Sequence, residues 1–205
     1  MTRQESPGTL NEMNTRIART HAAVMDAAVE LLIEGGPDAL TVDGVVARSG
    51  VAKSTFYRHW ATRDQLVADV FEHMAPILDP PDPSLNFEDS LRQLVGRLAA
   101  IMSDERWRRV LPAFMMLKMH HGNVAKLEQR ISCEQIDVCG DVLKRGVDAG
   151  KIDPATDPNT LMALLMGPVL MAGLTGFVPM DEAFVNSVVD HFRAGARPRV
   201  ETTRP

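Results

Sequence analysis

Apolar residues in this chain recur three and four positions apart, and no stretch alternates with the period of two that a half-buried strand requires. The pattern predicts helices throughout. A first helix spans about Thr15 to Glu34, with Val24, Ala28, Leu31 and Leu32 on one stripe, and Gly35-Gly36-Pro37 ends it. Thr41 caps a short second helix reaching Arg48, and Gly44 in its first turn costs about 1 kcal/mol against alanine. Gly50 makes a tight turn, and a third helix covers about Ala52 to His59. Thr62 opens a fourth, with Gln65 at capping-box spacing and Leu66, Val70 and Phe71 on its apolar side, before Pro76.

Leu78-Asp79-Pro80-Pro81-Asp82-Pro83 reads as a linker between two helical units. Beyond it, Asn86 caps a helix carrying Phe87, Leu91, Leu94, Val95, Leu98 and Met102. A helix from about Asp104 to His121 is expected to bend or break at Pro112. A long one from Asn123 to Ala149 has Val124, Leu127, Ile131, Val138 and Val142 as its stripe. Asp157-Pro158 starts a helix to about Leu174. That helix has no polar face, which predicts burial on two sides. A last helix, Asp181 to Ala194, aligns Phe184, Val188, Val189 and Phe192. The expected organisation is a disordered arm at 1–14, a three-helix helix-turn-helix domain at 15–77, a larger helical domain at 84–195 and a disordered tail at 196–205.

Composition narrows the classes. The chain has 205 residues, 45% hydrophobic and 24% charged, enough to bury a core without disulfides or metal. Its two cysteines, Cys133 and Cys139, make no disulfide framework, so a reducing compartment is expected. The polar N-terminus lacks the apolar core of a signal peptide, and a cytoplasmic protein is expected. No charged residue falls between Pro158 and Met180, about the length of a membrane span. Its apolar run proper is only Leu161 to Ala172, and buried helix with no membrane partner is the expectation.

Net charge is −5, so the chain as a whole is no polycation. Between Gly44 and Arg63, however, lie Arg48, Lys53, Arg58 and Arg63 with no acid among them. A local cluster of this kind can touch a few phosphates. Aromatics are 5%, against a stacking platform for single strands. Within TVDGVVARSGVAKSTFYRHW, packing groups (Val42, Val45, Val46, Val51, Phe56) interleave with groups that suit DNA: Lys53, Ser54, Thr55, Tyr57 and Arg58. These sit on a helix short enough for the major groove. The first free N–H groups of the helix after Thr41 are a candidate phosphate site.

At these residues the chain resembles the DNA-binding domain of the tetracycline-repressor family of bacterial regulators. Leu40-Thr41-Val42, Gly50-Val51, Thr55-Phe56-Tyr57, His59-Trp60 and Arg63-Asp64-Gln65-Leu66 match its motifs in order and spacing, between about Arg16 and Phe71. The resemblance implies an all-helical homodimer that binds double-stranded operator DNA and represses transcription. It also implies a C-terminal domain that takes a small-molecule effector. Carried over by position, Thr41, Lys53, Ser54, Thr55, Tyr57 and His59 are DNA contacts, joined by Arg48, Arg58 and Arg63 of the basic window. Gly146 to Gly150, Asp157-Pro158 and Gly167-Pro168 resemble one subclass. Two departures stand out: Val46 where the family most often has alanine, and Val169-Leu170-Met171-Ala172-Gly173 where the subclass often has aromatics and arginine.

Seven of the twelve methionines lie in the C-terminal helices, and flexible thioethers suit either an apolar pocket or plain core filling. Candidate pocket residues are Met102, Trp107, Phe114, Met115, Leu165 and Met166. Candidate dimer-seam residues are Leu161, Leu164, Pro168, Met171, Phe184, Val188 and Phe192, on the last two helices. His120 and His121 point about 100° apart on a helix, and Cys133 and Cys139, six positions apart, fall on different faces, so neither pair reads as a metal site. No cofactor or catalytic set is expected. The competing classes are a helical enzyme acting in the C-terminal pocket and an adaptor that binds protein through the basic head. Sequence-specific DNA binding separates both from a regulator.

Overall fold

A computed structural model of the chain describes residues 7–120 and 136–198, and its regular elements there are all α-helices. They are α1 (Pro7–Ala39), α2 (Val42–Ser49), α3 (Lys53–His59), α4 (Arg63–Met74), α5 (Phe87–Ser103) and α6 (Glu105–His120). There follow α7, described over 136–148, α8 (Pro158–Thr175) and α9 (Glu182–Ala196). The expected stretch from Asn123 through Ile131 and Cys133 lies outside the described residues, as does His121.

The caps explain where the helices begin. Thr41 Oγ1 accepts from the Gly44 N–H at 3.0 Å, Asn86 Oδ1 from Asp89 at 3.0 Å, Asp157 from Thr160 at 2.8 Å and Asp181 from Phe184 at 3.0 Å. Each satisfies a backbone donor that the first helical turn leaves open. Before α4 the Gln65 N–H donates to Thr62 Oγ1 at 3.2 Å, while Gln65 Oε1 accepts from the Ala61 N–H at 2.8 Å.

Two elements differ from expectation. α1 begins at Pro7, eight residues before Thr15, so the described part of the expected arm is helical; Pro7 stands at the first helical position, where its missing N–H costs nothing. The helix breaks where glycine was expected to end it, at Gly36 (φ 68°, ψ −163°). α6 runs through Pro112 without interruption, since a single proline removes one hydrogen bond and need not end a helix held by its neighbours.

The described residues form two units. In the first, which comprises the chain up to Met74 together with α6 from Arg109, α1 packs on α2 and α4, and α2 on α3. Val24, Ala28, Leu32, Leu40, Val45, Phe56, Trp60, Leu66 and Val70 are buried. Phe114 meets Phe71 edge-on with ring centroids 4.7 Å apart, so the end of α6 belongs with this unit and not with the chain segment that follows the linker. In the second unit α5 packs on α8 and α9, and α8 on α9. Close approach of α5 and α8 depends on Gly173, where a β-carbon would lie 2.6 Å from Met102 Cε and 2.9 Å from Met102 Cβ.

α8 corrects one expectation. Leu161, Leu165, Val169, Ala172 and Gly173 face the core, yet Leu164, Gly167, Pro168, Leu170 and Met171 are exposed. By length and composition alone α8 is also long and apolar enough to cross a membrane. In the fold it is instead a helix packed along one side on α5 and α9, with the other side open.

Candidate nucleic-acid interface

The short helix α3 is held by Phe56 within it and by Trp60, which caps its end. Phe56 and Trp60 are fully buried, and their rings lie 5.3 Å apart. Burial of each such side chain is worth about 1.5–3 kcal/mol, which offsets the poor intrinsic stability of a helix of seven residues. The Trp60 indole N–H donates to Asp69 Oδ2 at 2.7 Å, and the His21 ring lies 5.3 Å from the Trp60 ring. α3 is thereby tied to α4 and α1. Spacing alone did not reveal Asp69 and His21 as supports, because each reaches Trp60 from another helix.

The turn before α3 needs Gly50, whose φ of 68° would cost a β-carbon-bearing residue about 1–2 kcal/mol. Its N–H donates to the Val46 carbonyl at 3.1 Å and closes α2. With Val45 and Phe56 buried beneath the turn, the side of α3 opposite the core is fixed: Lys53, Ser54, Tyr57 and Arg58 are exposed, and Thr55 and His59 are half-buried. Tyr57 is 48% exposed, its ring edge-on to Phe56 at 5.6 Å, so its body packs while its hydroxyl faces water. His59 packs 5.5 Å from the Trp60 ring, and its Nε2 is a buried atom without a hydrogen-bond partner among the described residues.

The four basic residues do not act alike. Arg58 is exposed and makes no ion pair among the described residues. Lys53 Nζ lies 2.6 Å from Asp43 Oδ1, and this hydrogen bond raises its pKa above the ordinary lysine value, so the ammonium stays charged at neutral pH. Both partners are exposed, and such a solvent-screened pair is weak enough for the ammonium to exchange its carboxylate for a phosphate. Arg48 instead turns to α1, 2.6 Å from Glu34 and 3.6 Å from Glu30. Its hydrogen bond lowers the pKa of Glu34. Arg63 is half-buried and donates from Nε to the Leu40 carbonyl and from Nη2 to the Pro37 carbonyl, both at 2.6 Å. The structure therefore brings Lys53, Ser54, Thr55, Tyr57, Arg58 and His59 together on one short helix. It turns Arg48, itself exposed, to carboxylates of α1, and half-buried Arg63 to backbone carbonyls at the end of α1. At Thr41 the hydroxyl takes up one of the helix-start N–H groups itself.

The C-terminal candidates separate in the same way. Met102, Trp107 and Leu165 are buried and Met166 half-buried in the second unit, with Met102 packed on Gly173. Phe114 and Met115 lie on the part of α6 that groups with the first unit, Phe114 buried against Phe71 and Met115 exposed. Of the expected seam residues, Leu164, Pro168 and Met171 are exposed and Phe184 is half-buried. Leu161, Val188 and Phe192 lie instead in the unit's own core, because their faces of α8 and α9 point at α5 and at each other. Cys139 is buried, and desolvation pushes its thiol up to about 11.

Comparison with known proteins agrees with this geometry at both ends of the chain. Residues 24–70 match the family described as bacterial regulatory proteins, tetR family, and residues 81–192 the tetracyclin repressor-like C-terminal domain. The uncharacterized HTH-type transcriptional regulator YdeS of Bacillus subtilis is 23% identical over 171 residues, covering 83% of this chain and 86% of its own. The DNA-binding transcriptional repressor TetR of Mycobacteroides abscessus is 25% identical over 189 residues, covering 86% and 95%. Among solved structures, a bacterial regulatory protein in the tetR family from Rhodococcus RHA1 superposes with a TM-score of 0.71 at 16% identity, over 88% of this chain and 98% of its own.

Proposed function

Because the chain belongs to the tetracycline-repressor family and is a DNA-binding transcriptional regulator, we propose that it is a cytoplasmic homodimeric repressor, released from its operator by a small molecule bound in the C-terminal domain. The head at 15–77 reads DNA and the domain at 84–195 binds effector and partner. The observation that carries this reading is the solvent-facing side of α3, where Lys53, Ser54, Tyr57 and Arg58 stand on a frame of buried Phe56 and Trp60. Lysine and arginine bring charge to phosphates or guanine edges, and the hydroxyls supply short-range hydrogen bonds. Thr41, Thr55 and His59 flank this face and complete the contact set. Arg48 and Arg63 act one step behind it, holding α2 and α4 against α1.

A dimer presents two copies of α3, and a duplex offers matching half-sites about 34–36 Å apart. An effector acts only through its different affinities for the DNA-spaced and the splayed arrangement. The exposed apolar side of α8, with Leu164, Gly167, Pro168 and Met171, is the face that a second copy covers. Selection of genomic fragments on the purified protein tests the reading: it recovers a recurrent inverted repeat that competes specifically against bulk DNA. Recovery of unrelated fragments in proportion to their length alone overturns it.

A further inference from the structure

The second unit contains a small cavity of about 240 Å³ lined by Phe87, Gly150, Lys151, Arg193, Arg197 and Pro198. Three of the six are cations, on a chain whose net charge is −5. Arg193 is half-buried and already balanced, its Nη2 hydrogen-bonded to Glu88 and its Nη1 3.7 Å from Asp190 Oδ1. Lys151 and Arg197 are exposed at the rim and make no ion pair among the described residues.

The walls are fixed by backbone contacts. The Lys151 N–H donates to the Gly146 carbonyl at 2.9 Å, Ile152 is buried, and the Asp153 N–H donates to the Ala196 carbonyl at 2.8 Å. The turn that carries Lys151 is thus pinned between the end of α7 and the last turn of α9, next to Arg197. Phe87 is wedged so closely on α7 that a β-carbon at Gly146 would lie 2.5 Å from its ring. The site thus sets Lys151 and Arg197, which make no ion pair among the described residues, beside the edge of the Phe87 ring.

We infer that this cavity is a binding site for a small organic anion, a carboxylate or phosphate monoester on a body no larger than one ring. Lys151 and Arg197 take the anionic group in charge-assisted hydrogen bonds, and Phe87 with Pro198 takes the apolar body. The volume sets the size limit, since sites for drug-sized ligands begin at about 300 Å³. The inference rests on the second unit alone and is independent of how the head meets DNA.

Calorimetric titration of the full chain with phenyl phosphate at low salt tests it, with phenol as the uncharged control. One saturable event is expected for phenyl phosphate and none for phenol, weakening as salt is added. The K151A/R197A variant weakens the binding about tenfold or more, Lys151→Arg keeps it, and Lys144→Ala, outside the lining and paired with Asp148, leaves it unchanged. Circular dichroism checks that each variant is folded. Absence of saturation in the wild-type chain overturns the inference. So does equal binding by the double variant, or equal loss in Lys144→Ala, either of which means an adventitious ion only.

Discussion

At the scale of single residues, the same side-chain type does different work according to what lies within reach. Arg58 and Arg63 are five positions apart, yet one faces solvent from α3 and the other is bonded to two backbone carbonyls. Cys139 shows the same principle in a thiol. Burial disfavours its thiolate, and a folded pKa pushed up to about 11 against an ordinary value of 9.0 means that folding favours the protonated form. The sign follows: this contribution is fully present below the unfolded pKa and is lost as pH rises through the folded one. It amounts to about 3 kcal/mol at most. Mass spectrometry of iodoacetamide-treated protein at pH 8 will therefore find Cys139 unmodified in the native chain and alkylated in urea. Modification at equal rates in both would show that the thiol is open to solvent.

At the scale of elements, most of the helices were legible because their start signals are chemical and local. Thr41, Asn86, Asp157 and Asp181 act on their own chain within three residues, so a linear reading finds them. The turn at Gly50 was legible for the same reason, and α3 through the motif residues that carry the family resemblance. The partners of Trp60, Lys53 and Arg48 were not, since Asp69, Asp43 and Glu34 reach them across turns between elements. Nor could apolar periodicity tell which side of α8 a chain buries itself and which it leaves exposed, because both sides read alike. Leu161 and Leu165 went inward, while Leu164 and Met171 stayed 54% and 55% exposed. Placing charge on that outer side tests its role. Sedimentation velocity of L164D/M171D at micromolar concentration should show monomers where the wild type is dimeric, with association weakened about a hundredfold or more, since an unpaired carboxylate buried in an apolar seam costs several kcal/mol. A variant as dimeric as the wild type would move the interface elsewhere.

At the scale of the whole molecule, an acidic chain binds a polyanion only if its few positive groups are concentrated and oriented, and on the proposed reading α3 supplies that concentration. The scaffold serves it: Gly50 sets the turn, Phe56 and Trp60 bury one side, and Arg48 and Arg63 fasten the neighbouring helices to α1. The proposed reading assigns stability and recognition to different side chains, and a pair of variants can separate them. The most direct test is fluorescence anisotropy of the selected operator duplex with Y57F/R58A and, separately, with Arg63→Ala, each followed by a thermal melt. Y57F/R58A should lose about tenfold or more in affinity and flatten the salt dependence by about one phosphate per subunit, with an unchanged melting temperature. Arg63→Ala should lower the melting temperature first. Undiminished operator affinity in a well-folded Y57F/R58A would contradict the account, for DNA would then be read by some other surface.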